Sequence, residues 1–229
     1  PVATTIVFFP LILGLWAVPD GSVYSWLQPD YRFGFGIDRL SSPLPAIDFL
    51  KQEGIHGRAF NQFNIGGILL WEIPDERNFI DSRNLNDWIA REYVAILRMD
   101  RGFEKKLTEF GVDHIVLDLP DLRQDPSEIR TTPIPFLTAN RNSWKLVYWD
   151  DRSFVYVKNL PKFRPTIDRF EYTVLNPYLF AFHPREFDSL RMALPEVLQE
   201  EMSRKFREEP KGRVIRFIAQ EVGYSAAAR

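Results

Sequence analysis

From Pro1 to Pro19 the chain carries no charged side chain, and its first charge is Asp20. The run Thr4-Thr-Ile-Val-Phe-Phe-Pro-Leu-Ile-Leu-Gly-Leu-Trp-Ala-Val18 is apolar on every side, so no amphipathic face can be drawn through it. A helix of about 19 residues would rise roughly 28 Å at 1.5 Å per residue, near the thickness of a bilayer's hydrocarbon core. Trp16, Tyr24 and Trp26 fall at its C-terminal end, where an interfacial aromatic belt would sit. Pro10 is better tolerated in a membrane helix than in a soluble one. The basic n-region and small-x-small cleavage site of a signal peptide are both missing. Residues 1–19 are therefore expected to form a transmembrane helix or its remnant, in contact with the lipid bilayer. A buried helix or strand pair of a soluble protein is the alternative. The chain begins at Pro1 without a Met, so either an initiator Met was removed or the chain is a piece of a longer protein. Asp20, Asp30, Arg32, Asp38 and Arg39 make no basic cluster, which favours export of the remaining residues to the periplasmic or extracytoplasmic side.

Beyond this segment the composition is ordinary. Hydrophobic residues at 45% and charged residues at 26% exclude wholesale disorder. With 29 basic against 31 acidic residues there is no field to attract a polyanion, and nucleic acid is not an expected partner. The absence of cysteine removes disulfides, thiolate metal sites and thiol nucleophiles.

Residues 20–42, rich in Gly, Pro, Ser and aromatics, read as an irregular connector. A helix comes next, with Ser41 or Ser42 as its cap, Pro43 or Pro45 in its first turn and Gly54 as its stop. Strands are expected at Arg58–Asn61, at Ile68–Ile73 after the Gly66-Gly67 pair, and at Asn78–Asp81. Asn86–Leu97 places Ile89, Tyr93 and Ile96 on one helical face, and Phe103–Phe110 is a second helix closed by Gly111. Val112–Asp118 reads as a buried strand, and Trp144–Trp149 with Phe154–Val157 as a hairpin across Asp150-Asp-Arg-Ser153. This order predicts an α/β or α+β domain with a mixed sheet over residues 43–160. Pro161, Pro165, Pro177 and Pro184 space out a linker over 161–183. Residues 184–229 then form a charged amphipathic helical extension. Phe187, Leu190, Leu194, Val197, Leu198 and Met202 make its apolar face, with a restart at Pro195 and a second helix over Val214–Val222.

Catalytic and cofactor signatures are missing. His56, His114 and His183 stand alone in sequence, and no metal-ligand spacing, nucleophile elbow, P-loop or dinucleotide fingerprint occurs. Asp150-Asp151, Glu200-Glu201 and Glu208-Glu209 are sequence neighbours whose side chains diverge, so they read as solvated charge rather than an acid/base dyad. No cofactor, no metal and no catalytic residue is assigned. The candidate contact set for a ligand or partner is Asn61, Asn64, Gly66, Gly67, Trp71, Asp81 and Arg83. Two Asn and a Gly pair between strands permit positive φ and close approach by a ligand or another backbone. Asp81 and Arg83 past a strand end suit a polar contact. The competing reading is a tight turn with Asn side chains bonded to their own backbone and an Asp–Arg pair that orders a loop.

The stretches Pro45-Ala-Ile-Asp-Phe-Leu-Lys51, Gly54-Ile-His-Gly-Arg-Ala-Phe-Asn61, Asn64-Ile-Gly-Gly-Ile-Leu-Leu-Trp71 and Phe79-Ile-Asp-Ser-Arg83 carry a resemblance. Phe110-Gly-Val-Asp-His-Ile-Val-Leu117 and Trp144-Lys-Leu-Val-Tyr-Trp-Asp-Asp151 continue it in the same order. Together they resemble the extracytoplasmic C-terminal domain of bacterial polytopic membrane proteins of the lipid-linked-sugar glycosyltransferase (GT-C) type. The resemblance covers about residues 43–160. It implies a last membrane helix before the domain and helical repeats after it. That family often has Asp-Gly-Arg where this chain has Asp81-Ser-Arg83. Its catalytic carboxylates lie in loops between earlier membrane helices, so no catalytic residue is carried over, and the resemblance implies a non-catalytic part.

The leading expectation is thus a membrane-attached extracytoplasmic domain with a binding or scaffold role, with a membrane protein or a glycan as its partner. One alternative is a single-span accessory subunit of a bioenergetic or photosynthetic membrane complex. Another is an enzyme acting on a glycan or lipid-linked sugar, with Asn64, Trp71, Asp81 and Arg83 in its site.

Overall fold

The computed structural model describes residues 42–83, 86–119 and 132–224. The expectations for residues 1–41, including a membrane helix and the interfacial Trp16, Tyr24 and Trp26, lie outside the described residues. Among the described residues no helix is long and apolar enough to cross a membrane. Those from Pro43 onward belong to one compact unit.

The core is a four-stranded mixed sheet of β1 (Ala59–Asn61), β2 (His114–Asp118), β3 (Trp144–Trp149) and β4 (Ser153–Lys158), in the order β1-β2-β4-β3. β1 runs parallel to β2, pairing Ala59 with His114 and Asn61 with Val116. β4 is antiparallel to both β2 and β3. The expected α/β or α+β fold with a mixed sheet therefore holds, with helices on both faces of the sheet. On one face α1 (Leu44–Gln52), α2 (Phe63–Glu72) and α6 (Arg164–Phe170) set Leu50, Leu69 and Ile167 against Ala59, Val116 and Val155. On the other, α3 (Asp87–Leu97), α4 (Phe103–Glu109), α5 (Ile134–Ala139) and α7 (Pro177–Phe182) set Ile96, Leu107, Leu137 and Leu179 against Ile115, Leu117, Phe154 and Tyr156. The period of two in β2 and β4 feeds both cores, which is why these strands read as continuous apolar runs. In β3 a bulge falls between Leu146 and Tyr148. It turns Val147 and Tyr148 to the α1 face and leaves Leu146 and Trp149 on the other.

Four expectations are corrected. Ile68–Ile73 is not a strand: all but Ile73 belongs to α2. A short apolar run satisfies a buried strand and a buried helix alike. Here β1 must reach a parallel neighbour, which requires a crossover, and α2 begins it. Asn78–Asp81 is not a strand either, because its backbone is held by side chains rather than by a ladder. Residues 161–183 are not a linker. They form a 3-10 turn (Pro161–Phe163), α6 and α7, with Phe163, Ile167, Val174, Leu175 and Leu179 buried. Their prolines sit in first helical turns, where a missing N–H costs nothing. α1 lacks the expected serine cap: Pro43 holds the cap position with no side-chain bond.

The expected C-terminal extension is helical: α8 (Pro184–Ala193), α9 (Pro195–Glu208) and α10 (Arg213–Val222), with the restart at Pro195. Phe187 and Met202 are buried on it, whereas Leu194, expected on its apolar face, is exposed. α9 also buries Lys205, whose ammonium donates to the Trp149 carbonyl, pairs with Glu209 at 2.9 Å and lies over the Trp149 ring.

Candidate functional site

The carboxyl ends of the parallel strands β1 and β2 lie side by side, the edge at which α/β sheets most often bind ligands. Asn61 ends β1 and is fully buried. Its Oδ1 accepts the N–H of Phe79 at 2.8 Å, and its Nδ2 donates to the carbonyls of Ile80 at 2.8 Å and Gln62 at 3.0 Å. Gly66, on the inner side of α2, lies against Ile80, and Asn78 Nδ2 donates to the Gly66 carbonyl at 3.1 Å. The segment 78–81 is thereby strapped to the strand end and to α2. Neither Gly66 nor Gly67 has a positive φ. The expected backbone freedom is unused, and only the close approach at Gly66 is real.

Asp81 closes this strap. Its Oδ1 accepts from the backbone N–H of Arg83 at 2.8 Å and from Arg83 Nε at 3.0 Å, and its Oδ2 from Arg83 Nη2 at 3.3 Å and Asn78 Nδ2 at 3.4 Å. The Arg83 hydrogen bonds draw its carboxyl down to about 2, against the opposing effect of burial. Arg83 is in turn held more firmly protonated by Asp81. Such a carboxylate is a fixed anion, too weak a base to move protons near neutrality. Asn78, Phe79, Ile80, Asp81 and Arg83 line an open recess of about 430 Å³, and the Arg83 side chain is largely exposed there.

Beside the strap the start of α2 is tied to β2. Gln62 Oε1 accepts the N–H of Asp118 at 2.9 Å, Tyr93 Oη accepts the N–H of Phe63 at 3.1 Å, and Asn64 Nδ2 donates to Asp118 Oδ2. Asp118 moves the opposite way from Asp81. Burial raises its pKa, with the Asn64 bond and the charge of Arg152 opposing.

The seven candidate contact residues thus separate. Asn61, Gly66, Asp81 and Arg83 meet around the strap, and Asn64 turns to Asp118. Gly67 and Trp71 lie on the outer face of α2, away from the strap. Gln62, Asn78, Tyr93 and Asp118 were missed by sequence. Only the parallel pairing of β1 with β2, invisible in the chain, assigns Asp118 to this edge.

The three histidines do not stand alone in space. At the opposite edge Glu76 accepts the Gly57 N–H at 2.6 Å and meets His56 Nδ1 at 3.3 Å and His114 Nε2 at 3.8 Å. Asp113 bonds His114 Nδ1 at 2.7 Å and Lys162 at 2.6 Å. Tyr178 Oη and His183 Nε2 are 3.1 Å apart beside a cleft of about 350 Å³ between α5 and α7. Among the described residues no three His, Asp or Glu side chains are placed to hold a metal ion. No protein-family model matches this chain, and no curated protein matches it either.

Proposed function

We propose that this chain is a non-catalytic, extracytoplasmic binding and scaffold domain of a glycosyltransferase-like membrane protein, held at the bilayer by residues 1–19. The observation that carries the non-catalytic part is the state of Asp81. Its carboxylate is spent on Arg83 and Asn78 and is held ionised far below neutrality. A general acid needs a proton near working pH, and a nucleophile needs an unsatisfied oxygen; Asp81 supplies neither. What the strap offers is recognition, through the Arg83 guanidinium at the mouth of a recess. A guanidinium there suits an anionic or hydroxyl-rich group such as a sugar phosphate. On the helical extension, exposed Met192, Leu194 and Phe217 support a protein partner.

The test uses the full chain expressed with its apolar start. Flotation with phosphatidylcholine vesicles after alkaline washing is expected, together with binding of a polyprenyl-phosphate sugar that Arg83→Ala weakens about tenfold. Turnover of that lipid-linked sugar, abolished by Asp81→Asn, would overturn the non-catalytic assignment. Recovery of the full chain in the aqueous fraction without detergent would overturn the anchoring.

A further inference from the structure

Helix α2 is apolar on both of its sides. From Ala59 to Trp71 thirteen successive residues carry no charged side chain. Ile65, Gly66 and Leu69 face inward and are buried. The outer side repeats every four residues as Phe63, Gly67 and Trp71, a stripe along the whole helix. Trp71 is 83% exposed and Phe63 46%, and nothing stands within 4 Å of where a side chain on Gly67 would begin. A surface helix ordinarily turns a polar face to water. On α2 the margin of the outer face is Asn64, whose amide is given to Asp118, and the first charge is Glu72 at the far end, paired with Lys51 at 2.8 Å.

We infer that the outer face of α2 docks on the surface of the lipid bilayer, with Trp71 and Phe63 entering the headgroup region. This rests on the reading that residues 1–19 are membrane-inserted. Three observations favour lipid over other occupants. A ten-residue helix presents a stripe about 15 Å long, a few hundred Å² at most, whereas a stable pair of copies buries on the order of 1,200 Å² or more. Recognition of a sugar ring needs polar groups beside the aromatic faces, and the one amide on this stripe is already engaged. Trp and Phe flanking an uncharged surface are the side chains that partition into a membrane interface. Residues 20–41, the chain between the apolar start and the domain, reach at most about 80 Å even at full extension. The domain surface is then held near the membrane at an effective concentration that lets a weak contact suffice. With α2 on the lipid, the neighbouring strap and its recess at the carboxyl edge of β1 lie close to the headgroups, within reach of a lipid-linked ligand.

Because the chain has no cysteine, a single one at Gly67 can report on the face directly. The full-length Gly67→Cys chain, spin-labelled and reconstituted in phosphatidylcholine vesicles, is compared with Glu109→Cys, an exposed position on α4 on the other side of the sheet. The label at 67 is expected to be several-fold more accessible to oxygen than to a water-soluble nickel chelate, and the label at 109 the reverse. Adding Trp71→Glu should return the label at 67 to water while leaving the thermal unfolding midpoint within a degree or two. Vesicle-bound protein whose label at 67 stays as water-accessible as that at 109 would overturn the docking and leave the anchoring intact. A label shielded from both reagents, with spin–spin broadening that grows with protein density, would assign the face to a second copy and overturn it as well. Failure of the chain to float with the vesicles would overturn the anchoring itself.

Discussion

Gly66 and the carbonyl oxygen of Ile80 approach so closely that a Cβ on Gly66 would stand 2.1 Å from that oxygen. The same added atom would meet Asn61 Nδ2 and the Asp81 backbone at 2.9 Å. Helix α2, the end of β1 and the strap at 78–81 are thus mutually fitted at one point, and the point has no slack.

The two adjacent glycines should therefore respond in opposite directions. Gly66→Ala must displace backbone, and is expected to lower stability by about 3 kcal/mol, at the upper end of overpacking costs. Gly67→Ala meets nothing and removes backbone entropy from the unfolded chain, so it is expected to raise stability by about 0.5–1 kcal/mol. Urea unfolding of the two variants against the parent decides it. Equal effects would mean that α2 does not contact Ile80.

Asn61→Asp is a second probe of the strap, since it changes one group and almost no volume. The Oδ1 that accepts the Phe79 N–H is retained, but the Nδ2 that donates to the Ile80 and Gln62 carbonyls becomes an oxygen facing oxygens. A loss of about 3 kcal/mol is expected at neutral pH, because a buried acceptor pair is left without a proton between them. Burial against carbonyl oxygens favours the neutral acid, whose proton restores a donor, so the loss should shrink as pH falls toward the ordinary carboxylate range. Hydrogen exchange at Phe79 and Ile80 reads the strap directly. An unchanged urea midpoint for Asn61→Asp at neutral pH would refute the Nδ2 bonds to the Ile80 and Gln62 carbonyls.

How much of this was legible in the chain differs by element. Helices α3 and α4 were, because Asn86 and Gly111 mark their ends and Tyr93, Ile96, Phe103 and Leu107 keep the helical period. The hairpin of β3 and β4 was legible from its turn. α2 was not, since Ile68-Leu-Leu-Trp71 carries no period and only the parallel pairing of β1 with β2 demands a helix there. Residues 161–183 misled through their prolines, which open helices here as readily as they space linkers elsewhere. Of the site, the Asp81–Arg83 pair was visible as a local turn. Asn78, Tyr93 and Asp118 join it through contacts that no local pattern encodes.

A buried carboxylate is one of the ties between the helical extension and the domain. Glu201 of α9 accepts the N–H groups of Thr173 at 2.6 Å, Val174 at 3.1 Å and Leu175 at 2.6 Å, three successive amides just before α7. Glu201→Ala strands these buried donors and is expected to cost about 3 kcal/mol. Glu201→Gln, which keeps one acceptor oxygen and turns an NH₂ toward the others, should cost about half as much. Thermal unfolding gives the magnitudes, and amide exchange at 173–175 gives the place. A single cooperative transition that shifts with both variants is expected. Loss of α8–α10 signal alone, with the sheet unaffected, would mean that the extension unfolds independently.

At the carboxyl edge Asp118 should behave as a carboxyl that the fold prefers neutral. Burial raises its pKa, so the folded state holds its proton more tightly than the unfolded state does. Its contribution to stability is then best at low pH and declines as pH rises through and above the usual carboxylate range. Asp118→Asn keeps an acceptor for Asn64 and removes the charge, and is expected to stabilise by about 0.5–1 kcal/mol at pH 7 with no gain near pH 3. Urea midpoints of parent and variant at both values test it. A gain that is equal at the two pH values would show that ionisation is not the cause.

Asp81, in the strap held to the end of β1, should give the mirror image. Its pKa lies near 2, below the ordinary 3.8, because Arg83 donates to it from side chain and backbone. The stability it contributes is present above pH 4 and is lost as pH falls through 2, since only the unfolded chain welcomes the proton in that window. Arg83 is mostly exposed and its charge is screened, so the full shift overstates the effect, and about 1 kcal/mol is expected. In Asp81→Asn that component disappears, and the difference between variant and parent should narrow steadily from pH 5 to pH 2. The two substitutions at one edge, Asp118→Asn and Asp81→Asn, then change stability at neutral pH with opposite signs. The combined variant should lie near their sum if the strap and the Asn64–Asp118 bond act independently. A departure of more than about 0.5 kcal/mol would show that they form one cooperative site, with the start of α2 as the element that joins them.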